Sequence, residues 1–401
     1  MNFNRIKNLL QPADTKIVLL VMDGLGGLPK GLGYGTELET AKTPNLDDLA
    51  RQSLCGLHQP VGTAVTPGSG PAHLALFGYD PLEYEVGRGV LSALGIGFDL
   101  KSGDVAARGN FCTVDEAGRV TDRRAGRIAT EKNEALCETL RQIELTGVRL
   151  FVETVKEYRF LMVLRGEDLK GEIEDTDPQE TGVQPLKPQA RSPEAQQTAE
   201  LVHRFVEAAR ENLADERPAN MVLLRGFSQK PRWPQMGDVF GLRAAAIAGY
   251  PMYRGVGKLI GMQVLETGES LSEELDTLEK RWPDFDFFYV HVKKIDSAGE
   301  DGDFDHKVSL IEEVDRHLPR LLELKPDVLI VTGDHSTPSV LRSHSWHPVP
   351  VIFHSAYCRP DHVEHFGEHA CTTGGLGPRF PAKDLMPLAL ANAGRLRKFG
   401  A

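Results

Sequence analysis

Asp327-Val-Leu-Ile-Val-Thr332-Gly333-Asp334-His335 is a short apolar run that breaks off into a glycine, an aspartate and a histidine. A run of this length and β-branched content fits a strand buried on both faces of a parallel sheet. The same grammar occurs twice more. Lys16-Ile-Val-Leu-Leu-Val-Met22 ends at Asp23-Gly24, and Phe285-Asp-Phe-Phe-Tyr-Val-His-Val292 is followed shortly by Asp296. Between the last two strands, Val308, Ile311, Val314, Leu318, Leu321 and Leu322 recur at helical spacing within His306–Leu324. Strand, helix, strand at this distance predicts a βαβ unit, and Val349–His354 adds a further strand.

Ligands of open parallel sheets bind outside the carboxyl ends of the strands. If the three strands lie side by side, Asp23, Asp296 and Asp334 converge on one rim. Three carboxylates in a small volume repel one another unless a cation offsets them. His335 and His344 add imidazoles. Carboxylates with imidazoles suit divalent ions of the Mn, Zn, Co or Mg type, and a pair of such ions can clamp both oxygens of a phosphoryl transfer. Ser69 supplies a nucleophile. It sits in Thr66-Pro-Gly-Ser69-Gly-Pro71-Ala-His73, a turn that opens a helix. Metal coordination and a helix N-terminus would lower its pKa and favour an incoming phosphate. Pro67 and Pro71 stand where an esterase elbow needs glycine. Earlier in the chain, Thr43-Pro44-Asn-Leu-Asp47-Asp48 spells a helix start with Thr43 at the N-cap.

Composition narrows the function. The 401 residues carry a formal charge of −11 and are 41% hydrophobic, enough for a real core. The acidic balance argues against nucleic-acid or anionic-membrane binding, and no run of eighteen apolar residues suggests a membrane span. The amino-terminal stretch lacks the pattern of a secretory signal. Five cysteines without a CxxC spacing read as free thiols, so a cytoplasmic setting is expected. The stretch from about 115 to 230 differs in being charged and Pro-rich, with two similar strand-like runs ending at Arg165 and Arg225. It is read as an inserted domain, 115–230, within a discontinuous core of 1–114 and 231–401.

The segments Val21–Gly24, Thr66–His73, Asp122–Ile128, Thr332–Pro338 and His344–Pro350 together resemble the cofactor-independent phosphoglycerate mutases. The likeness is to their archaeal-type branch, within the alkaline phosphatase superfamily. It implies an α/β fold, with an alkaline-phosphatase-like core, a mostly parallel sheet flanked by helices, and an inserted α+β domain. The implied reaction is metal-dependent interconversion of 3- and 2-phosphoglycerate through a phosphoserine at Ser69. Two divalent ions are implied, manganese first and magnesium, cobalt or zinc as alternatives, with no need for 2,3-bisphosphoglycerate. By the same resemblance Asp23, Ser69, Asp334 and His335 hold one ion, and Asp296 and His344 hold the other. Where the family has a histidine after Asp-x-x-x, this chain has Glu300, which would make the second site harder and more anionic if it ligates.

A phosphorylated hydroxy acid needs bidentate donors. Arg123, Arg124 and Arg127 lie in a segment that resembles the family. Arg159, Arg165 and Arg225 flank the two similar strands, and Lys258 lies near the family's active-site lysine. Arg88 is a weaker candidate. An inserted domain that retains glycerate favours a mutase over a phosphatase. A metallophosphatase or phosphotransferase on the same core, or a degenerate binder, are the alternatives, and a homo-oligomer stays open. Gly24–Gly27 does not continue into a dinucleotide motif, because Pro29 takes its last position. Asp361, His362, His365 and His369 read first as surface.

Overall fold

The computed structural model describes residues 3–400, which form two compact units. The first unit takes the chain up to Glu85 and again from Trp233. Ile17–Met22, buried at every position, is an inner strand of its eight-stranded sheet. It pairs in parallel with Phe287–Val292 on one side and Val328–Thr332 on the other, with Ile17 level with both Phe287 and Val328. Ala244–Ala248 and Gln263–Leu265 extend the parallel set beyond Phe287–Val292. On the other side Val349–Ser355 runs antiparallel, then Leu54–Gln59 and Gly377–Pro381 resume the common direction. The expected βαβ unit is present, with the chain's first strand slotted between its two strands.

One face of this sheet is sealed by the helices Pro44–Arg51, Leu271–Arg281 and Phe304–Glu323. Leu46, Leu49, Leu275, Leu278, Ile311, Val314 and Leu318 pack there against Val18, Leu20, Phe288, Val290, Leu329 and Val331. Each such apolar side chain contributes about 1.5–3 kcal/mol on full burial, before the entropy of ordering it is subtracted. Thr43 occupies the N-cap position as expected, but its side chain makes no cap bond. The Asp315 carboxylate, from the long helix, accepts from Leu46 N at 2.8 Å instead. Tertiary packing thereby supplies the capping acceptor in place of Thr43.

The second unit spans Val86–Arg232. The sequence reading began the insertion at 115. The structure moves that boundary upstream because Val105–Val114 is the central strand of the second sheet, not the end of the first. It pairs antiparallel with Arg159–Arg165, with Met221–Ser228 and with Val120–Asp122, and Arg149–Lys156 adds an outer strand. The two strands that ended alike in sequence are thus both neighbours of one long strand. The helices Thr130–Arg141 and Gln196–Asn212 bury Leu136, Leu140, Val202, Phe205 and Ala209 with Phe111 and Phe160 in a separate core.

Candidate active site

Three parallel strands leave their carboxyl ends on one rim, and chemistry collects there. Asp23 follows Ile17–Met22, Asp334 and His335 follow Val328–Thr332, and Asp296 lies in the first turn of the helix Lys294–Asp301 that follows Phe287–Val292. All four side chains are buried. Asp23, Asp334 and His335 offer donor atoms within 4.8 Å of one another, and so do Asp296, His335 and His344. Ser69 is the first residue of the helix Ser69–Leu76, and its Oγ lies 3.3 Å from His335 Nε2. The structure therefore gathers Asp23, Ser69, Asp296, Asp334, His335 and His344.

The backbone is shaped to allow this approach. Gly24 has φ +67°, and a Cβ there would sit 2.9 Å from Asp296 Cα. Only glycine combines that conformation with that closeness. Its N–H donates to Asp334 Oδ1 at 3.0 Å, tying two rim loops together. Lys307, wholly buried on the long helix, donates from Nζ to Gly24 O, Gly26 O and Thr337 O at 2.9–3.0 Å. Three carbonyls satisfy the three ammonium hydrogens, so a charged group here acts as a rivet between the Asp23 and His335 loops.

Thr337 orients two of the donors. Its hydroxyl donates to Asp296 Oδ1 at 2.7 Å and lies 3.0 Å from His335 Nδ1. Neither Lys307 nor Thr337 was singled out by sequence reasoning. Thr337 lay inside a quoted motif, so proximity to Asp334 was its signal; Lys307 had none beyond its helix.

Electrostatics favour a bound cation. Asp23 Oδ1 and Oδ2 and Asp334 Oδ2 are buried without a well-aligned hydrogen bond among the described residues. Imidazoles do come near: His335 Nε2 is 3.1 Å from Asp334 Oδ2 and 3.5 Å from Asp23 Oδ1, and His291 Nε2 is 3.2 Å from Asp23 Oδ2. Buried carboxylate oxygens short of well-aligned donors are costly, and a divalent ion beside these imidazoles and Lys293 would offset that cost. Burial pushes the Asp23 carboxyl upward, but Lys293, His291 and His335 outweigh it and hold it well below the usual carboxylate range. Burial also drives His335 below the usual imidazole value, which keeps it neutral and able to ligate. The donor set of two carboxylates, an imidazole and a hydroxyl fits a divalent metal.

Other candidates fall elsewhere. Glu300 is exposed and joins neither group of donors. Lys258 ends the helix Pro251–Leu259 and is exposed. The lysine beside the carboxylates is Lys293, whose Nζ bonds to Asp296 Oδ2 and lies 3.3 Å from Asp23 Oδ2.

In the second unit, Arg123 grips Asp177 with two bonds of 3.0 and 2.7 Å, and Arg225 lies 3.6 Å from the same carboxylate. Arg165 is committed to Asp104 by two bonds of 2.8 and 2.7 Å. Arg159 contacts Glu157 at 3.2 Å and covers the Tyr158 ring. Arg124 and Arg127 are exposed. His365 and His369 pair with Asp47 and Glu39 at the surface and form no group of three metal donors among the described residues.

The chain is similar to known proteins. Residues 50–220 match the family model described as 2,3-bisphosphoglycerate-independent phosphoglycerate mutase. An Aquifex aeolicus protein named "Probable 2,3-bisphosphoglycerate-independent phosphoglycerate mutase" is 51% identical, covering 99% of both chains. A Thermus thermophilus protein of the same name is 50% identical over 100% of this chain and 99% of its own. Among solved structures, a Pyrococcus horikoshii protein superposes with a TM-score of 0.82 at 29% identity, covering 97% of this chain and 100% of that one. The cofactor-independent phosphoglycerate mutase of Thermoplasma acidophilum gives 0.65 at 30% identity, over 94% of this chain and 100% of that one. With full-length relatives at half identity, the chain belongs to the 2,3-bisphosphoglycerate-independent phosphoglycerate mutase family.

Proposed function

We propose that the protein interconverts 3-phosphoglycerate and 2-phosphoglycerate, a step of glycolysis and gluconeogenesis, by way of a phosphoserine at Ser69. The observation that carries this reading is the Ser69 hydroxyl, placed at a helix N-terminus 3.3 Å from His335 Nε2 and beside the group formed by Asp23, Asp334 and His335. Held by Asp23, Asp334, His335 and Ser69, a divalent ion, manganese by the mixture of oxygen and nitrogen donors, would lower the hydroxyl's pKa and offset phosphate charge.

Ser69 Oγ gives up its proton and attacks phosphorus, the bond from phosphorus to the glycerate oxygen breaks, and that oxygen takes up one proton in exchange to become a hydroxyl. The other glycerate hydroxyl gives up its proton and attacks the phosphoserine, the bond from phosphorus to Ser69 Oγ breaks, and Oγ takes a proton back. The backbone N–H groups at the start of Ser69–Leu76 favour the negative phosphoryl oxygens throughout. An anionic substrate also needs bidentate donors, and the arginine candidates for that role are Arg123, Arg124, Arg127, Arg159, Arg165 and Arg225. The reaction is assigned to the cytoplasm. All five cysteines are free, and no helix among the described residues is long and apolar enough to cross a membrane.

The test is direct. Purified protein with Mn²⁺ and 3-phosphoglycerate, without 2,3-bisphosphoglycerate, is expected to yield 2-phosphoglycerate, and Ser69→Ala to lower the rate by about a thousandfold or more. Release of inorganic phosphate without the isomer would replace this reading with a metallophosphatase.

A further inference from the structure

The two groups of donors on the rim are not equivalent. Thr337 has one hydroxyl hydrogen, and a carboxylate only accepts, so that hydrogen goes to Asp296 Oδ1. The contact between the same hydroxyl and His335 Nδ1 is then made by an Nδ1–H. The bare Nε2 of His335 faces Asp23, Asp334 and Ser69. His335 therefore gives its lone pair to that group alone. The group at Asp296 is left with His344, whose Nδ1–H is fixed by Pro67 O at 2.9 Å and whose Nε2 lies 3.5 Å from Asp296 Oδ1. Glu300, exposed, does not complete it. Two protein donors fall short of the three that a catalytic divalent site ordinarily has.

A cation of the chain itself stands there. Lys293 Nζ bonds to Asp296 Oδ2 and lies 3.3 Å from Asp23 Oδ2, bridging the carboxylates of the two groups. Its side chain is three-quarters buried and begins one helical turn before Asp296, so its reach is fixed.

We propose that Lys293 is the built-in second cation of this site: the free protein binds one divalent ion tightly, at Asp23, Ser69, Asp334 and His335, and the ammonium holds the place between Asp23 and Asp296 that a second ion would take. This deepens the mutase reading and rests on it. One divalent ion and one ammonium balance the three carboxylates of Asp23, Asp296 and Asp334. A second divalent ion would have to displace Lys293 or crowd it.

Titration of the metal-free full chain with Mn²⁺, followed by calorimetry and by electron paramagnetic resonance, tests this. The wild type is expected to bind one tight ion with a mononuclear spectrum, and Glu300→His alone to remain at one. Lys293→Met combined with Glu300→His is expected to bind two spin-coupled ions, with the second at least about tenfold tighter than any second ion in the wild type. Two ions of comparable affinity in the wild type or in Glu300→His would overturn the proposal. So would a single ion in the folded double variant. Should the double variant not fold, the counts in the other two proteins decide. One bound ion without conversion of 3-phosphoglycerate would defeat the mutase reading and leave the ion count standing; two ions with conversion intact would do the reverse.

Discussion

At the scale of single residues, the site divides into side chains that announce themselves and side chains that act only through space. Asp23, Asp334 and His335 were legible because each ends an apolar strand abruptly, and a charged group at such an edge needs a reason. Lys307 and Lys293 were not. A lysine is ordinarily a solvated side chain, and nothing local tells that Lys307 meets carbonyls of Gly24 and Gly26 from a distant part of the chain. Thr337 lies between these cases and gives the clearest residue-level prediction. Its hydroxyl fixes both the Asp296 carboxylate and the tautomer of His335. Thr337→Val keeps the shape and removes the hydroxyl. It is expected to weaken Mn²⁺ binding by about 10–100-fold, with Thr337→Ser restoring most of the loss. Calorimetric titration checks this. Equal affinity in the valine variant would mean that His335 keeps its tautomer without help.

At the scale of elements, legibility followed burial pattern. Ile17–Met22, Phe287–Val292 and Val328–Thr332 are continuous apolar runs because both faces are covered. Leu54–Gln59 is equally buried yet reads poorly, since it carries His58 and Gln59. His58 Nε2 lies 2.9 Å from Gly333 O, and burial lowers its pKa to about 4, so it packs as a neutral ring under the Asp334 loop. Ala244–Ala248 hides in the opposite way, as alanines with little strand preference of their own. The helix Leu271–Arg281 offers a prediction of the same kind. Its Glu274 faces inward, and burial raises the carboxyl from 4.5 to about 8. Below about pH 4.5 the group is protonated folded or unfolded, and costs nothing. As pH rises toward 8, the unfolded chain ionises while the folded one holds its proton, so stability falls by up to about 1.4 kcal/mol per pH unit. Glu274→Gln removes this loss. Its melting temperature is expected to match the wild type near pH 4.5 and exceed it most at pH 8 and above; a constant difference across that range would show that Glu274 is ionised in the native state.

For the whole molecule, the question is whether the 86–232 segment is a domain in the physical sense or only in the sequence. The sequence placed an insertion but began it too late, because a strand central to the second sheet carries no mark of which sheet it will join. The structure argues for independence from within each unit. The first unit's core of Val18, Leu20, Phe288 and Leu329 shares no residue with the second unit's core of Phe111, Leu136, Phe160 and Phe205. The second unit also brings its own ends together. A Cβ on Gly87 would meet Gly226 O at 2.4 Å, and a Cβ on Gly226, at φ +64°, would meet Arg88 N at 2.4 Å. A segment that enters and leaves at one point can be cut out without tearing its sheet, and the strand pairs 105–114 with 159–165 and 221–228 all lie inside the cut. The excised 86–232 chain is therefore expected to fold, with a cooperative thermal transition and far-ultraviolet dichroism of an α+β protein. Since every donor on the rim lies outside it, Mn²⁺ should leave its melting temperature unchanged. The full chain, with the ion at a hundred times its Kd, should gain about 2.7 kcal/mol in the unit that holds the site. A non-cooperative melt of the excised chain would show that its sheet depends on the remainder of the chain for stability.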